Sequence, residues 1–97
     1  MHFKRLILII YLEAYDDYVK IIVPEGTFLK KQTMGFYEKQ FENNNFLRVH
    51  RSFLLQLNQI TKVEPLEKNS HIAILKNGAR IPLSRSGYAK LKEVLGL

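Results

Sequence analysis

The sequence has no cysteine among its 97 residues, which excludes disulfide bonds, thiolate metal ligands and a cysteine nucleophile. It also lacks an apolar run long enough to span a bilayer, because the run Leu6–Leu12 ends at Glu13. Two basic residues precede this run, as in a signal peptide. Its short length and the acidic pair beyond it favour a buried strand instead. We therefore expect a cytoplasmic protein that does not associate with membranes.

Catalytic and metal-binding motifs are missing as well. His2, His50 and His71 have no metal-ligand spacing to one another or to carboxylates. The chain contains neither a glycine-rich phosphate loop nor a Gly-x-Ser-x-Gly motif. Catalysis requires groups that converge on one point, and the sequence presents no such set. We expect no enzymatic activity, no cofactor and no metal site.

The length and composition predict one domain that spans residues 1–97 with a single thin core. Hydrophobic residues make up 46% of the chain and charged residues 25%, as in an ordinary globular protein. The net charge of +6 is unevenly placed, since residues 1–45 carry six basic and six acidic residues and residues 46–97 carry nine and three. This asymmetry suggests a polyanionic partner, although a charge of this size also serves solubility.

Residue periodicity predicts a mostly β domain of short antiparallel strands with two short helices. Strands are predicted at residues 6–12, 18–23, 27–31, 46–49, 53–57, 60–66, 71–75 and 79–83, and helices at 33–41 and 84–95. Residues 13–17 are predicted as a loop. Asn77-Gly78 is a strong hairpin signal, Thr33 suits a helix N-cap, and Pro82 predicts an edge strand.

The stretch Phe46–Ile60 contains an unusual break between two strands. A hairpin normally turns at Gly, Asn or Pro, but here His50, Arg51 and Ser52 occupy the break. None of the three is needed for turning, so they are candidates for contacting a ligand. A solvated turn that satisfies only local backbone groups is the alternative.

A second arginine lies in a similar setting before the last helix. Arg85 stands between Ser84 and Ser86, and arginine is suited to bidentate contact with guanine or phosphate. Ser86 and Gly87 also place backbone N–H groups at a helix N-terminus, which favours a phosphate. Tyr18 and Lys20 supply a third candidate contact from the first hairpin. Together these segments predict a nucleic-acid interface.

Two segments resemble the LytTR family of bacterial DNA-binding domains. They are Val49–Ile60, VHRSFLLQLNQI, and Leu75–Arg85, LKNGARIPLSR. Ile9–Ile21, IIYLEAYDDYVKI, resembles the family's opening segment, so the resemblance extends from Ile9 to Leu95.

The resemblance implies an elongated fold of small antiparallel sheets that serves as the output domain of two-component response regulators. Such domains bind imperfect direct repeats in promoter DNA by inserting loop side chains into the grooves. By position, Arg51 and the Arg85-Ser86 turn match the family's DNA-contacting loops. The Tyr15–Tyr18 loop, with Asp17, matches a third contact region, and His50 is expected to support Arg51.

The chain departs from the family pattern in three places. Gln56 stands at a half-buried position where the family often has Asn, and Leu8 stands near a usually acidic position. We expect no counterpart of the family's first strands before Ile9 and no receiver domain within these residues. An excised output domain, a truncated one and a free-standing variant all remain open. Missing strands would leave a sheet edge that invites a homodimer on DNA.

Two other functions fit a small basic β domain. An RNA-binding or ribosome-associated domain usually exposes aromatic residues for base stacking. Here most aromatics fall at apolar-periodic positions, which disfavours that function. A protein-interaction module, whose basic half meets an acidic partner, is the second alternative.

Overall fold

Two antiparallel sheets and two helices form residues 8–97, the part of the chain that the computed structural model describes. The strands are β1 Tyr11–Tyr15, β2 Tyr18–Val23, β3 Gly26–Lys30, β4 Phe46–His50, β5 Phe53–Gln56, β6 Ile60–Pro65, β7 His71–Leu75 and β8 Arg80–Leu83. The helices are α1 Met34–Gln40 and α2 Arg85–Leu95, and Leu57–Gln59 and Glu67–Asn69 form short 3-10 turns. The large sheet has the order β3-β2-β1-β5-β4 and the small sheet β6-β7-β8. The extents are 37 × 27 × 23 Å. The predicted mostly β fold is confirmed.

The large sheet buries apolar side chains on both faces because residues along each strand alternate between them. On one face, Leu12, Val19 and Leu54 pack with Met34 and Tyr37 of α1. On the opposite face, Val49 and Leu55 form a second core with the small sheet and α2. The small sheet contributes Ala73, Leu75, Ile81 and Leu83, and α2 contributes Leu91. The protein therefore has two cores, not the single thin core that its length suggested.

The first strand lies further along the chain than predicted. It begins at Tyr11 and includes Glu13 and Tyr15, so the prediction of a loop over residues 13–17 was wrong for residues 13–15. Glu13 lies opposite Lys20 of β2 in the register, so residues of opposite charge face each other across the ladder. Residues 6 and 7 of the predicted strand lie outside the described residues.

Several local predictions are confirmed by hydrogen bonds and backbone angles. The Thr33 hydroxyl caps α1 by accepting a hydrogen bond from the Phe36 N–H at 3.1 Å. Gly78 has a φ of 89° in the hairpin that connects β7 and β8, as the Asn-Gly signal requires. Pro82 lies in β8, an edge strand of the small sheet.

Two side chains differ from their expected burial. Gln56 is only 5% exposed rather than half-buried, because β5 lies inside the large sheet between β1 and β4. Its Nε2 donates to the Ile9 carbonyl at 3.1 Å, which compensates for the burial of this amide nitrogen. The apolar spacing of Tyr88, Leu91 and Leu95 in the sequence predicts that these residues share one face of α2, but Leu95 is 40% exposed. The buried stripe of that helix consists of Gly87 and Leu91.

A β-bulge at Val49 fixes the start of α2 against the large sheet. The register between β4 and β5 shifts between Arg48 and His50, so Val49 is an extra residue in the ladder. Its carbonyl accepts hydrogen bonds from the Ser84 N–H at 2.9 Å and the Ser84 hydroxyl at 3.2 Å. A Cβ on Gly87 would lie 1.9 Å from the Val49 oxygen. The contact between α2 and β4 therefore requires glycine at position 87.

We predict that alanine has opposite effects on stability at the two helical glycines. Gly87→Ala should lower the free energy of unfolding by roughly 3 kcal/mol, because the methyl group meets the fixed Val49 backbone. Gly35→Ala should raise it by about 0.5 kcal/mol, since no atom lies within 4 Å of the new Cβ and alanine favours a helix. Urea denaturation measures both. Equal effects at the two positions would contradict the close contact.

Candidate nucleic-acid interface

The turns that the sequence singled out lie at one end of the large sheet. Strand β1 pairs with β5, with Glu13 opposite Phe53, and the Ala14 N–H donates to the Ser52 carbonyl at 2.9 Å. The β1–β2 turn and the β4–β5 turn are therefore neighbours. The Val49 carbonyl connects the start of α2 to the same end of β4. We call residues 15–18, 50–52 and 84–86 together the loop end.

The His50 side chain supports the β4–β5 turn from within. Its Nδ1 accepts a hydrogen bond from the Ser52 N–H at 3.1 Å. The ring packs edge-on against Phe53 with the centroids 5.6 Å apart. Because Nδ1 acts as an acceptor, Nε2 is the ring nitrogen left as a donor. These contacts suit the supporting role that the resemblance implied for His50.

Arg51 is exposed at the tip of this turn. It borders an open cleft of about 620 Å³ on the face of the sheet that carries α1, and Asp17, Tyr18 and Lys31 also line the cleft. The structure thus brings together one residue of the central turn and two predicted contacts from the β1–β2 turn. Asp16 and Asp17 are both exposed, so this cleft presents acidic as well as basic groups.

Arg48 is a residue of the site that the sequence did not reveal. Its Nη1 forms an ion pair with Glu38 Oε1 of α1 at 2.9 Å, and its Nη2 donates to the Arg51 carbonyl. The available signal was a charged residue within the apolar strand that contains Phe46 and Val49. Arg48 lies on the α1 face of the sheet, as Phe46 does two residues earlier, but no sequence pattern identified its partners.

Tyr18 and Lys20 occupy different environments. Lys20 is half-buried, and its ammonium lies 4.3 Å from the centroid of the Tyr15 ring, a cation–π contact. Tyr15 is 49% exposed and Tyr18 42%. These two tyrosines are the last residue of β1 and the first of β2, where the two strands meet at the turn. They, Phe28 and Phe36 are exceptions to the expectation that most aromatic residues lie at apolar positions.

Arg85 and Ser86 are exposed in the first turn of α2. The Ser86 hydroxyl lies 3.4 Å from that of Ser84, which caps the helix. The Gly87 N–H was predicted to be free for a phosphate, but it donates to Ser84 Oγ at 3.0 Å. That prediction was wrong because serine at the N-cap uses the donor internally. The positive end of the helix dipole remains beside Arg85.

Burial and a neighbouring charge shift the pKa of Tyr11, which packs beside Phe53 of β5. Burial raises the pKa of the Tyr11 phenol above its usual value, and the negative charge of Glu13 raises this pKa further. Tyr11 packs against Phe53, with the ring centroids 6.2 Å apart. It therefore stays neutral at physiological pH and adds no charge to the interface.

Neither a metal site nor a membrane span is found between residues 8 and 97. No group of three or more His, Asp or Glu side chains in this range could hold an ion. No helix within the same residues is long and apolar enough to cross a membrane.

Comparisons with known proteins identify the family. The family model of the LytTr DNA-binding domain matches residues 2–96. A solved LytTr DNA-binding domain from Bacillus cereus superposes with a TM-score of 0.85 at 28% identity, covering 95% of this chain and 84% of that one. The Sensory transduction protein LytT of Enterococcus faecalis is 33% identical over 89 residues, which are 91% of this chain and 37% of that protein. LytT of Bacillus anthracis is 32% identical over 87 residues, which are 90% of this chain and 35% of that protein.

The chain belongs to the LytTR family of DNA-binding domains. The Transcriptional regulatory protein YpdB of Escherichia coli strain K12 is also similar, with 27% identity over 90 residues, 92% of this chain and 37% of that protein. The chain thus spans a little over a third of the length of these curated relatives. The family is one of DNA-binding domains and is not known as enzymatic.

Proposed function

We propose that this chain is a single domain that binds double-stranded DNA sequence-specifically as the output module of a bacterial transcription regulator. The observation that carries the proposal is the meeting of three turns at the loop end, with Arg51 and Arg85 exposed there, in a chain of this family. The loop side chains would enter the DNA grooves while the sheets remain outside them. The domain would act in the cytoplasm, as part of a two-component system.

Each turn offers a different kind of contact to DNA. The Arg51 fork can pair with guanine O6 and N7 in the major groove, and Ser52 and the Nε2 of His50 can donate beside it. Arg85 and Ser86 can hold a phosphate at the start of α2. These differences divide the loop end into a base-reading turn and a backbone-holding turn.

The acidic β1–β2 turn fits a base contact better than a phosphate contact. A carboxylate at Asp17 repels phosphate, but it can accept a hydrogen bond from the amino group of cytosine. Tyr18 is exposed beside it, and Lys20 can offset part of the acidic charge. We therefore assign this turn to base reading at the edge of the site.

The expected DNA site is a pair of imperfect direct repeats, with one copy of the domain on each repeat. Strand β3 is an edge of the large sheet and its residues are all exposed. A homodimer on DNA would have this edge available for contact between copies. Analytical ultracentrifugation with duplexes that carry one repeat or two would measure the number of bound copies.

The first functional prediction concerns salt. If the loop end neutralises several phosphates, the logarithm of the affinity for duplex DNA should fall linearly with the logarithm of the salt concentration, by about 0.9 per phosphate. Fluorescence anisotropy with a labelled duplex measures this slope. An RNA duplex of the same sequence is the control. Tighter binding to RNA would favour the ribosome-associated alternative, and no binding to either at low salt would favour the protein-interaction module.

The second functional prediction separates base reading from phosphate holding. Arg51→Ala should weaken binding to the cognate duplex much more than binding to a scrambled one, by roughly 1–3 kcal/mol of discrimination. Lys92→Ala is the control. Lys92 lies seven residues after Arg85 on α2, about 10 Å along the helix axis, and its ammonium lies over the Tyr88 ring. This control should change neither affinity much, or both equally.

A parallel loss of both affinities in Arg51→Ala would contradict base reading by this residue. Arg51 would then hold a phosphate, and base reading would have to come from Arg85 or from the Tyr15–Tyr18 turn. Titration of each variant on both duplexes gives the required ratio.

A further inference from the structure

The Arg48 guanidinium joins helix α1 to the turn that carries Arg51. One of its terminal nitrogens, Nη1, lies 2.9 Å from Glu38 Oε1, and the other, Nη2, donates to the Arg51 backbone carbonyl. The planar group fixes the angle between these two bonds, which a lysine ammonium could not do. A single side chain therefore connects an acidic residue of a helix to the backbone of the candidate base-reading residue.

We propose that Glu38 and Arg48 are positioning residues that set the direction in which Arg51 enters the DNA groove. This inference rests on the proposed function. Arg48 belongs to β4, immediately before the bulge at Val49, and Arg51 follows the bulge. The bulge interrupts the ladder at this point, so the regular strand pairing does not by itself fix the turn. The bond from Arg48 supplies an attachment for the Arg51 backbone.

The burial of the pair suits a positioning role. The Arg48 side chain is 26% exposed and that of Glu38 is 46% exposed, so Arg48 is partly withdrawn from solvent while Glu38 remains accessible. The Arg48 Nε is buried and has no hydrogen-bond partner among the described residues. Arg48 thus uses its two terminal nitrogens for Glu38 and the Arg51 carbonyl, while its Nε stays inside. A bidentate base contact needs its side chain held within about 0.5 Å, which requires such support.

The charge of Glu38 makes the inference testable by the sign of an effect. Removing a negative charge from a DNA-binding domain should strengthen binding to any duplex, because the repulsion of phosphate falls. Removing a positioning residue should instead weaken binding to the cognate sequence alone. Glu38→Gln changes almost nothing of the shape and replaces the charge-assisted bond to Arg48 by a weaker neutral one, so the two roles predict opposite results on cognate DNA.

The experiment compares Glu38→Gln with Glu42→Gln, an equal charge change at an exposed residue just after α1. The probes are a duplex selected from a random library by the unaltered protein and a scrambled duplex of the same composition. Glu42→Gln should leave the ratio of the two affinities unchanged. Glu38→Gln should lower this ratio about fivefold or more. A fivefold change is at the lower end of the discrimination between bases that a bidentate contact supplies.

A double variant shows whether Glu38 acts through Arg51. In the Arg51→Ala background, Glu38→Gln should cause no further loss of discrimination, because the side chain that it positions is gone. A general loosening of α1 would lower discrimination equally in both backgrounds and would overturn the inference. Melting temperatures are measured for each variant. If Glu38→Gln is unfolded at the assay temperature, Arg48→Lys is used instead, since lysine cannot bridge both partners. The same fall in the ratio of cognate to scrambled affinity is then expected.

The outcomes distinguish this inference from the proposed function. If the unaltered protein does not discriminate between the selected and scrambled duplexes, the proposed function fails. If it discriminates and Glu38→Gln behaves as Glu42→Gln does, the proposed function stands and the positioning role of Glu38 and Arg48 is wrong.

Discussion

The Val49 carbonyl is the contact on which the geometry of the loop end depends. The bulge in β4 releases this oxygen from the strand ladder, and the Ser84 N–H and hydroxyl occupy it. Ser84 also caps α2, and Gly87 lets that helix lie directly on the strand. One irregular residue in a strand therefore fixes the distance between the turn with Arg51 and the turn with Arg85.

The remaining structure holds these turns on a rigid support. The large sheet is packed on both faces, so its strand ends have little freedom to shift. The exposed arginines are placed on loops and rigidity on the sheet, a common division in binding proteins. The loop end needs additional fixation where the bulge interrupts the ladder, and the His50–Ser52 bond and the Arg48 guanidinium provide it.

Local patterns in the sequence predicted the elements that depend on neighbouring residues. The alternation in Tyr18–Val23 and His71–Leu75 identified two strands, Asn77-Gly78 identified a hairpin, and Thr33 identified a helix start. The His-Arg-Ser and Ser-Arg-Ser segments predicted the basic turns. Each of these signals lies within a few residues, where backbone preferences and turn chemistry act directly.

Features that depend on contacts between distant residues could not be predicted in this way. The strand position of Glu13 comes with the pairing of β1 to β2 and β5, and the need for Gly87 depends on Val49, far away in sequence. The role of Arg48 depends on Glu38 of α1, which only the packing of that helix against β4 brings within reach. The second core likewise depends on the packing of two sheets, which chain length alone does not specify.

The central claim is that DNA is contacted by the loop end, and amide chemical-shift mapping tests it most directly. The ¹⁵N-labelled protein would be titrated with a duplex that it selects from a random library. The account predicts that the largest shifts fall in residues 15–18, 50–52 and 84–86. The Asn77–Gly78 hairpin, at the other end of β8, should change little although Lys76 and Arg80 flank it. Shifts centred on that hairpin, with the loop end unaffected, would contradict the account.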